Sequence, residues 1–213
     1  MGKTYWMLVT DQENFNITRE RGFSVQGIDT KNRRKAVRMG PEDRIVYYVS
    51  DRKGFAATAT VTSDHFEEHS QVWKHFREKE DFPHRVEIAA DVVLDEDNFL
   101  DAFQIGPTLE YIKKWPPEQW PMAFFGMLHI IPQRDFNYLE EEMKRVHKKV
   151  GRRRAKRQND AIGMGGMSGE EDGPKEPGAG NGTFDASDDY EDEDAVGPAP
   201  GDDELIDVDR IEN

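Results

Sequence analysis

The chain has no cysteine. That absence excludes a disulfide scaffold, a thiolate zinc centre, an iron–sulfur cluster and a cysteine nucleophile together, and it suits a reducing, cytoplasmic setting. Long apolar runs are missing too. The opening MGKTYWMLVT holds five apolar residues in a row, too few for a signal-peptide core and far below the roughly 20 of a membrane span. No membrane partner is expected. The glycine-rich motifs that cradle phosphates, GxxxxGK[ST] and GxGxxG, are absent, and no GxSxG marks a serine nucleophile. Paired carboxylates such as Glu67–Glu68, or those from Asp95 to Asp97, fall in hydrophilic turns. No catalytic residue, cofactor or metal is assigned, and an enzyme is not expected.

What is present is one domain's worth of core. The chain has 213 residues, 36 % of them hydrophobic and 10 % aromatic, enough for a single core and a tail. The net charge of −14 is unevenly spread. Residues 1–143 carry 18 Lys+Arg against 25 Asp+Glu, residues 144–157 nine against none, and residues 158–213 two against 18. A mildly acidic body, a basic belt and an acidic tail follow. After Asp160 the only aromatics are Phe184 and Tyr190, among ten glycines and a run of carboxylates. Such a segment cannot bury enough apolar surface to offset the entropy of ordering it, so 158–213 is expected to be disordered. The folded domain is placed at 1–150, with the belt at the end of its last helix.

Within the domain, Tyr5–Thr10 reads as a strand, followed by a short helix that Asp11 caps and that carries Asn14, Phe15 and Thr18. Arg44–Ser50 and Phe55–Thr62 flank the turn at Asp51–Gly54 and form a hairpin. Arg85–Leu94 and Phe124–Ile131 add strands. Gln133–Val150 has helical spacing at Phe136, Leu139, Met143 and Val146, with Pro132 and Asp135 near its start. The fold class is α+β, a compact barrel-like sheet with helices around it.

Two basic segments stand out as phosphate contacts: the loop with Lys31, Arg33, Arg34, Lys35 and Arg38, and the run Lys148–Arg157. The bland alternatives are a solvated turn for the first and a helix end favouring cations for the second. Aromatics interleave with these charges. Trp6 is expected in the core, and Trp115 and Trp120 to brace a proline turn. Trp73 lies in a polar connection, SDHFEEHSQVWKHFREKEDF, where a tryptophan has less reason to be structural. His65 and His69, four apart, would share a helix face. The order there is HFEEH rather than HExxH, and two exposed histidines are the expected outcome.

Taken in order, YWMLVTDQENF, the basic loop, PEDRIVYYVS, FAATATVTSDHF, VWKHF, FPHRVEI and WPMAFFG resemble the EVE domain, a member of the PUA-like superfamily related to the YTH readers of methylated adenine. The resemblance runs from about Tyr5 to about Glu142. It implies a PUA-like small β-barrel with surrounding helices, and a pocket that accepts an extruded, modified base, with modified cytosine in DNA favoured over RNA. By position it also implies Asn14 on the base edge, Thr10, Asp11 and Ser50 at the rim, and Trp73 as a cage wall. Gln26 stands where relatives commonly have an aromatic, and an amide cannot complete an aromatic sandwich. Gly27 beside it would let the backbone approach a base closely. The alternatives from other classes are a protein-interaction or regulatory module working through its acidic tail, and an enzyme with an unrecognised site.

Overall fold

The first strand shows how the sheet is built. In β1 (Tyr5–Thr10) successive side chains point to opposite faces, and both sets are apolar. Trp6 and Leu8 enter one core cluster, Met7 the other. β3 (Arg44–Val49) repeats the pattern, with Ile45, Tyr47 and Val49 on the first side and Val46 and Tyr48 on the second. Such a sheet must be covered on both faces, which is why these strands read as continuous apolar runs rather than alternating ones. The structure, a computed structural model, describes residues 2–74 and 81–163. The tail foreseen from 158 lies outside the described residues from 164 onward.

Six further strands complete a mixed sheet: β2 (Val25–Ile28), β4 (Gly54–Val61), β5 (Phe66–Glu67), β6 (His84–Val93), β7 (Leu100–Asp101) and β8 (Leu128–Ile130). The order is β2-β6-β4-β3-β1-β8, with β5 against β6 and β7 against β4. β1 runs parallel to β3, while the other pairings are antiparallel. The sheet curls into a half-barrel, the PUA-like α+β form that the sequence implies.

Helices close the two faces. The α1 helix (Gln12–Glu20) begins where the Asp11 carboxylate accepts the Asn14 backbone N–H at 2.7 Å, satisfying a donor that the first helical turn leaves open. Its Phe15 is fully buried and meets Phe23, Tyr47 and Phe99 edge-on, with ring centroids 5.7–5.9 Å apart. On the other face α4 (Gln133–Gly163) inserts Phe136, Leu139 and Met143, one helical stripe. Two short helices, α2 (Arg33–Ala36) and α3 (Ala102–Ile105), lie in connections. Trp6 packs inside as foreseen, fully buried, its indole N–H donating to Asp43 Oδ2 at 2.9 Å.

Three expectations change in detail. The strand placed at Phe124–Ile131 is only Leu128–Ile130, because Trp120–Phe124 winds into a 3-10 turn opened by Pro121 and Gly126 takes φ 94°. The last helix continues beyond Val150 to Gly163 and carries the whole basic belt. His65 and His69 share no helix: Phe66–Glu67 is strand, and the two imidazoles turn to different partners.

Candidate nucleic-acid interface

A cavity of about 300 Å³ opens where β1 passes into α1, between the ends of β1 and β3 and the connection that carries Trp73. Thr10, Asp11, Asn14, Gln26, Ser50 and Trp73, six of the seven residues that the sequence proposes for a base pocket, line it. Gly27 does not. The space left by its missing side chain is taken by Trp73, since a Cβ there would stand 2.3 Å from Trp73 Cζ3 and 2.9 Å from Phe82 Cβ. The close backbone approach foreseen at Gly27 is therefore made by the indole. Val9, Asp29, Lys74, Phe82, Gly126 and Met127 complete the wall; of these only Phe82 stands out in the sequence, as one of the aromatics able to stack on a base.

The polar groups of the wall are tied to one another. Asn14 Nδ2 donates to Lys74 O at 2.7 Å and to Asp11 Oδ2 at 3.1 Å, while Asn14 Oδ1 accepts the Lys74 N–H at 2.8 Å. Both amide hydrogens and one oxygen lone pair are used, which leaves one acceptor lone pair on Oδ1. The same bonds pin the backbone next to Trp73. Gln26 Oε1 accepts from Tyr47 Oη at 3.0 Å, and Gln26 Nε2 donates to Gly27 O at 2.7 Å. Burial pushes the Tyr47 phenol far above its ordinary range, so it stays protonated as a donor. One N–H of Gln26 remains. Ser50 Oγ donates to Thr10 O at 3.2 Å, closing the rim.

Trp73 is 5 % exposed and well anchored. Its indole N–H donates to Thr18 Oγ1 at 2.9 Å, and the Arg85 guanidinium lies over the ring at 5.3 Å from the centroid. Arg85 is itself 1 % exposed. Its guanidinium donates to Ser70 Oγ at 2.9 Å and to the carbonyls of Ser70, Asp81 and Phe82, and pairs with Glu68 at 2.7 Å. A buried cation with this many acceptors organises the connection on which Trp73 sits. The Ser70 hydroxyl and Arg85 hold the Glu68 carboxyl below its usual range.

The cavity is bordered by Asp11 and Asp29, and the one cation in its lining among the described residues, Lys74, is paired with Glu13, whose hydrogen bond and charge raise the lysine's proton affinity. Phosphate would be repelled from such a lining. Positive charge lies next door. Asp29, a wall residue, caps the turn Thr30–Asn32 by accepting the Asn32 N–H at 2.9 Å, and α2 follows directly. Of the five basic residues proposed there, Lys35 donates to Leu128 O and so helps hold the half-barrel together, and Arg33 pairs with Glu67 at 3.7 Å. Arg34 and Arg38 are exposed and have no ion-pair partner among the described residues. Lys31 is exposed as well. The basic belt sits on α4, where Lys144 is engaged by Glu140 at 2.8 Å and Arg154 by Asp95 at 2.9 Å.

A curled mixed sheet with a pocket between its edge and the first helix defines a PUA-like protein. The sequence pattern of the EVE domain matches residues 4–141, and the chain belongs to that family. It is 29 % identical over 149 residues to the UPF0310 protein PH1033 of Pyrococcus horikoshii, covering 65 % of this chain and 97 % of that one. The UPF0310 protein PYRAB08750 of Pyrococcus abyssi is 25 % identical over 146 residues, covering 64 % and 97 %. Among solved structures, the fold is similar to the YTH domain-containing protein mmi1 in complex with RNA, with a TM-score of 0.51, 10 % identity, and coverage of 70 % of this chain and 87 % of that one.

Proposed function

We propose that this protein binds nucleic acid by accepting a single extruded base, in the first place a modified cytosine in DNA, into the cavity walled by Trp73, with the α2 segment on the flanking phosphates. The observation that carries this reading is the juxtaposition of an uncharged-ligand pocket with a basic surface at one rim, joined through Asp29. At about 300 Å³ the cavity is at the small end of ligand sites. That suits one base and not a dinucleotide. Its free valences are an acceptor on Asn14, the carboxylates of Asp11 and Asp29, and a donor on Gln26, a pattern that matches the amino group and neighbouring ring nitrogen of cytosine. The RNA complex of the mmi1 YTH domain supports a nucleic-acid ligand and keeps RNA within the test.

The experiment is a titration of matched DNA and RNA oligonucleotides, with and without 5-methylcytosine, against the intact protein and its Trp73→Ala variant. The intact protein should prefer one modified oligonucleotide by about tenfold, about 1.4 kcal/mol. The variant should lose that preference and keep its salt-dependent affinity. Equal binding of every oligonucleotide by the intact protein overturns the reading.

A further inference from the structure

Away from the cavity, the β5–β6 pairing gathers three side chains of the types that hold metals. His65 and Glu67 are two residues apart along an extended segment and therefore face the same way. The register of β5 on β6 sets Glu67 opposite His84. His65 Nε2 stands 3.1 Å from His84 Nδ1, Glu67 Oε1 stands 3.4 Å from the same nitrogen, and all three ligand atoms lie within 4.8 Å of one another. Around a tetrahedral zinc ion with bonds of about 2.0–2.2 Å, neighbouring ligand atoms are separated by about 3.3 Å. Two of the three separations already have that length.

We infer that His65, Glu67 and His84 form a binding site for a divalent ion of the zinc class, held by two imidazoles and a carboxylate, with water completing the coordination. The donor set is of the kind that suits zinc rather than magnesium or calcium, which take oxygen ligands. Exposure is graded for access: His84 is buried, His65 half-buried and Glu67 exposed, so a fourth position faces solvent. His84 Nδ1 is shared between His65 Nε2 and Glu67 Oε1, contacts that an ion between the three groups would replace, while the buried Nε2 on the far side of the His84 ring has no partner among the described residues. His69, by contrast, turns to Asp81 at 2.6 Å and takes no part.

The site touches the basic segment. Glu67 is the carboxylate that pairs with Arg33, the first residue of α2. A metal on Glu67 takes over that partnership and leaves Arg33 to face solvent. Resting on the function proposed above, this predicts that the metal raises affinity for nucleic acid.

The test is calorimetric titration of the intact protein with zinc alone, together with cobalt(II) absorption as a measure of geometry. One equivalent should bind, and cobalt(II) should give the intense visible bands of a four-coordinate site. His65→Ala and Glu67→Gln should each weaken binding by at least about tenfold, while His69→Ala leaves it unchanged. His84 is too buried to be the first choice for substitution. Failure of the intact protein to bind one equivalent, or equal loss in His69→Ala, overturns the site. Zinc binding without any gain in oligonucleotide affinity keeps the site and removes only its link to Arg33, whatever the fate of the base pocket.

Discussion

At the scale of single residues, the cavity depends on contacts that leave no room for exchange. Gly27 is the tightest of them. A methyl group there meets the Trp73 ring and the Phe82 Cβ well inside contact distance. Gly27→Ala is expected to cost about 1–3 kcal/mol, the range for overpacking, and to push the indole into the cavity. Thermal unfolding should show the first effect, and loss of oligonucleotide preference with an unaltered salt dependence the second. Asn14 works on the same wall from the other side, through the two bonds to Lys74. Asn14→Ala removes both, and Asn14→Asp removes the donors while keeping an acceptor for the Lys74 N–H. If Asn14 serves chiefly to fix Trp73, both variants should lower base preference, and the quenching of tryptophan fluorescence by ligand should shrink in parallel. A variant that retains preference with unchanged quenching would take Asn14 out of the site.

At the scale of elements, the basic turn and helix between β2 and β3 divide their labour. Lys35 is committed to Leu128 O across the half-barrel, whereas Arg34 and Arg38 lie exposed. Arg34→Ala with Arg38→Ala should weaken binding to all oligonucleotides alike and reduce the salt slope by about two, one for each lost phosphate contact. Lys35→Ala should instead lower the melting temperature. The sequence made the longer elements legible: β1, β3, β4 and β6 are apolar runs between turn residues, and α1 announces itself by its Asp11 cap. β5 and β7, of two residues each, and β2, of four, carry no periodicity at that length. They exist because long neighbours hold them. The cavity was legible where its residues belong to a family pattern, from Thr10 to Trp73. Arg85, Asp29 and Met127 were not, because their roles arise only in the fold, where Arg85 meets the Trp73 connection and Asp29 meets Met127, and nothing in their local sequence marks those meetings. The histidine pair shows the same limit. Spacing along the chain pairs His65 with His69, while its partner in the fold, His84, is on another strand.

At the scale of the whole molecule, the sheet and α4 are linked by charge as well as by packing. Glu140 accepts from Lys144 and Arg44, and Arg44 reaches on to Asp91 at 3.1 Å. Burial opposes ionisation of Glu140, yet Lys144 and Arg44 together hold its carboxyl below the usual range. A carboxyl depressed in the folded state stabilises fully above its unfolded pKa, and that contribution disappears as pH falls through the folded value. Glu140→Gln should therefore be less stable at neutral pH by about 1–2 kcal/mol, and should lose less stability than the parent below about pH 4.3. Denaturant unfolding at pH 7 and pH 3.5 measures both, and a constant difference between the two chains would dismiss the linkage. The parallel strand has a consequence of another kind. Trp6 of β1 is paired on one side with Ile45 and on the other with Ile130, so the first strand made is bordered by one of the last. Long loops must close before it gains its second neighbour, and the entropy of that closure slows this step of folding. During synthesis, the apolar segment Tyr5–Thr10 waits without that neighbour until β8 has left the ribosome, and until then that edge of it is open to pairing with other chains.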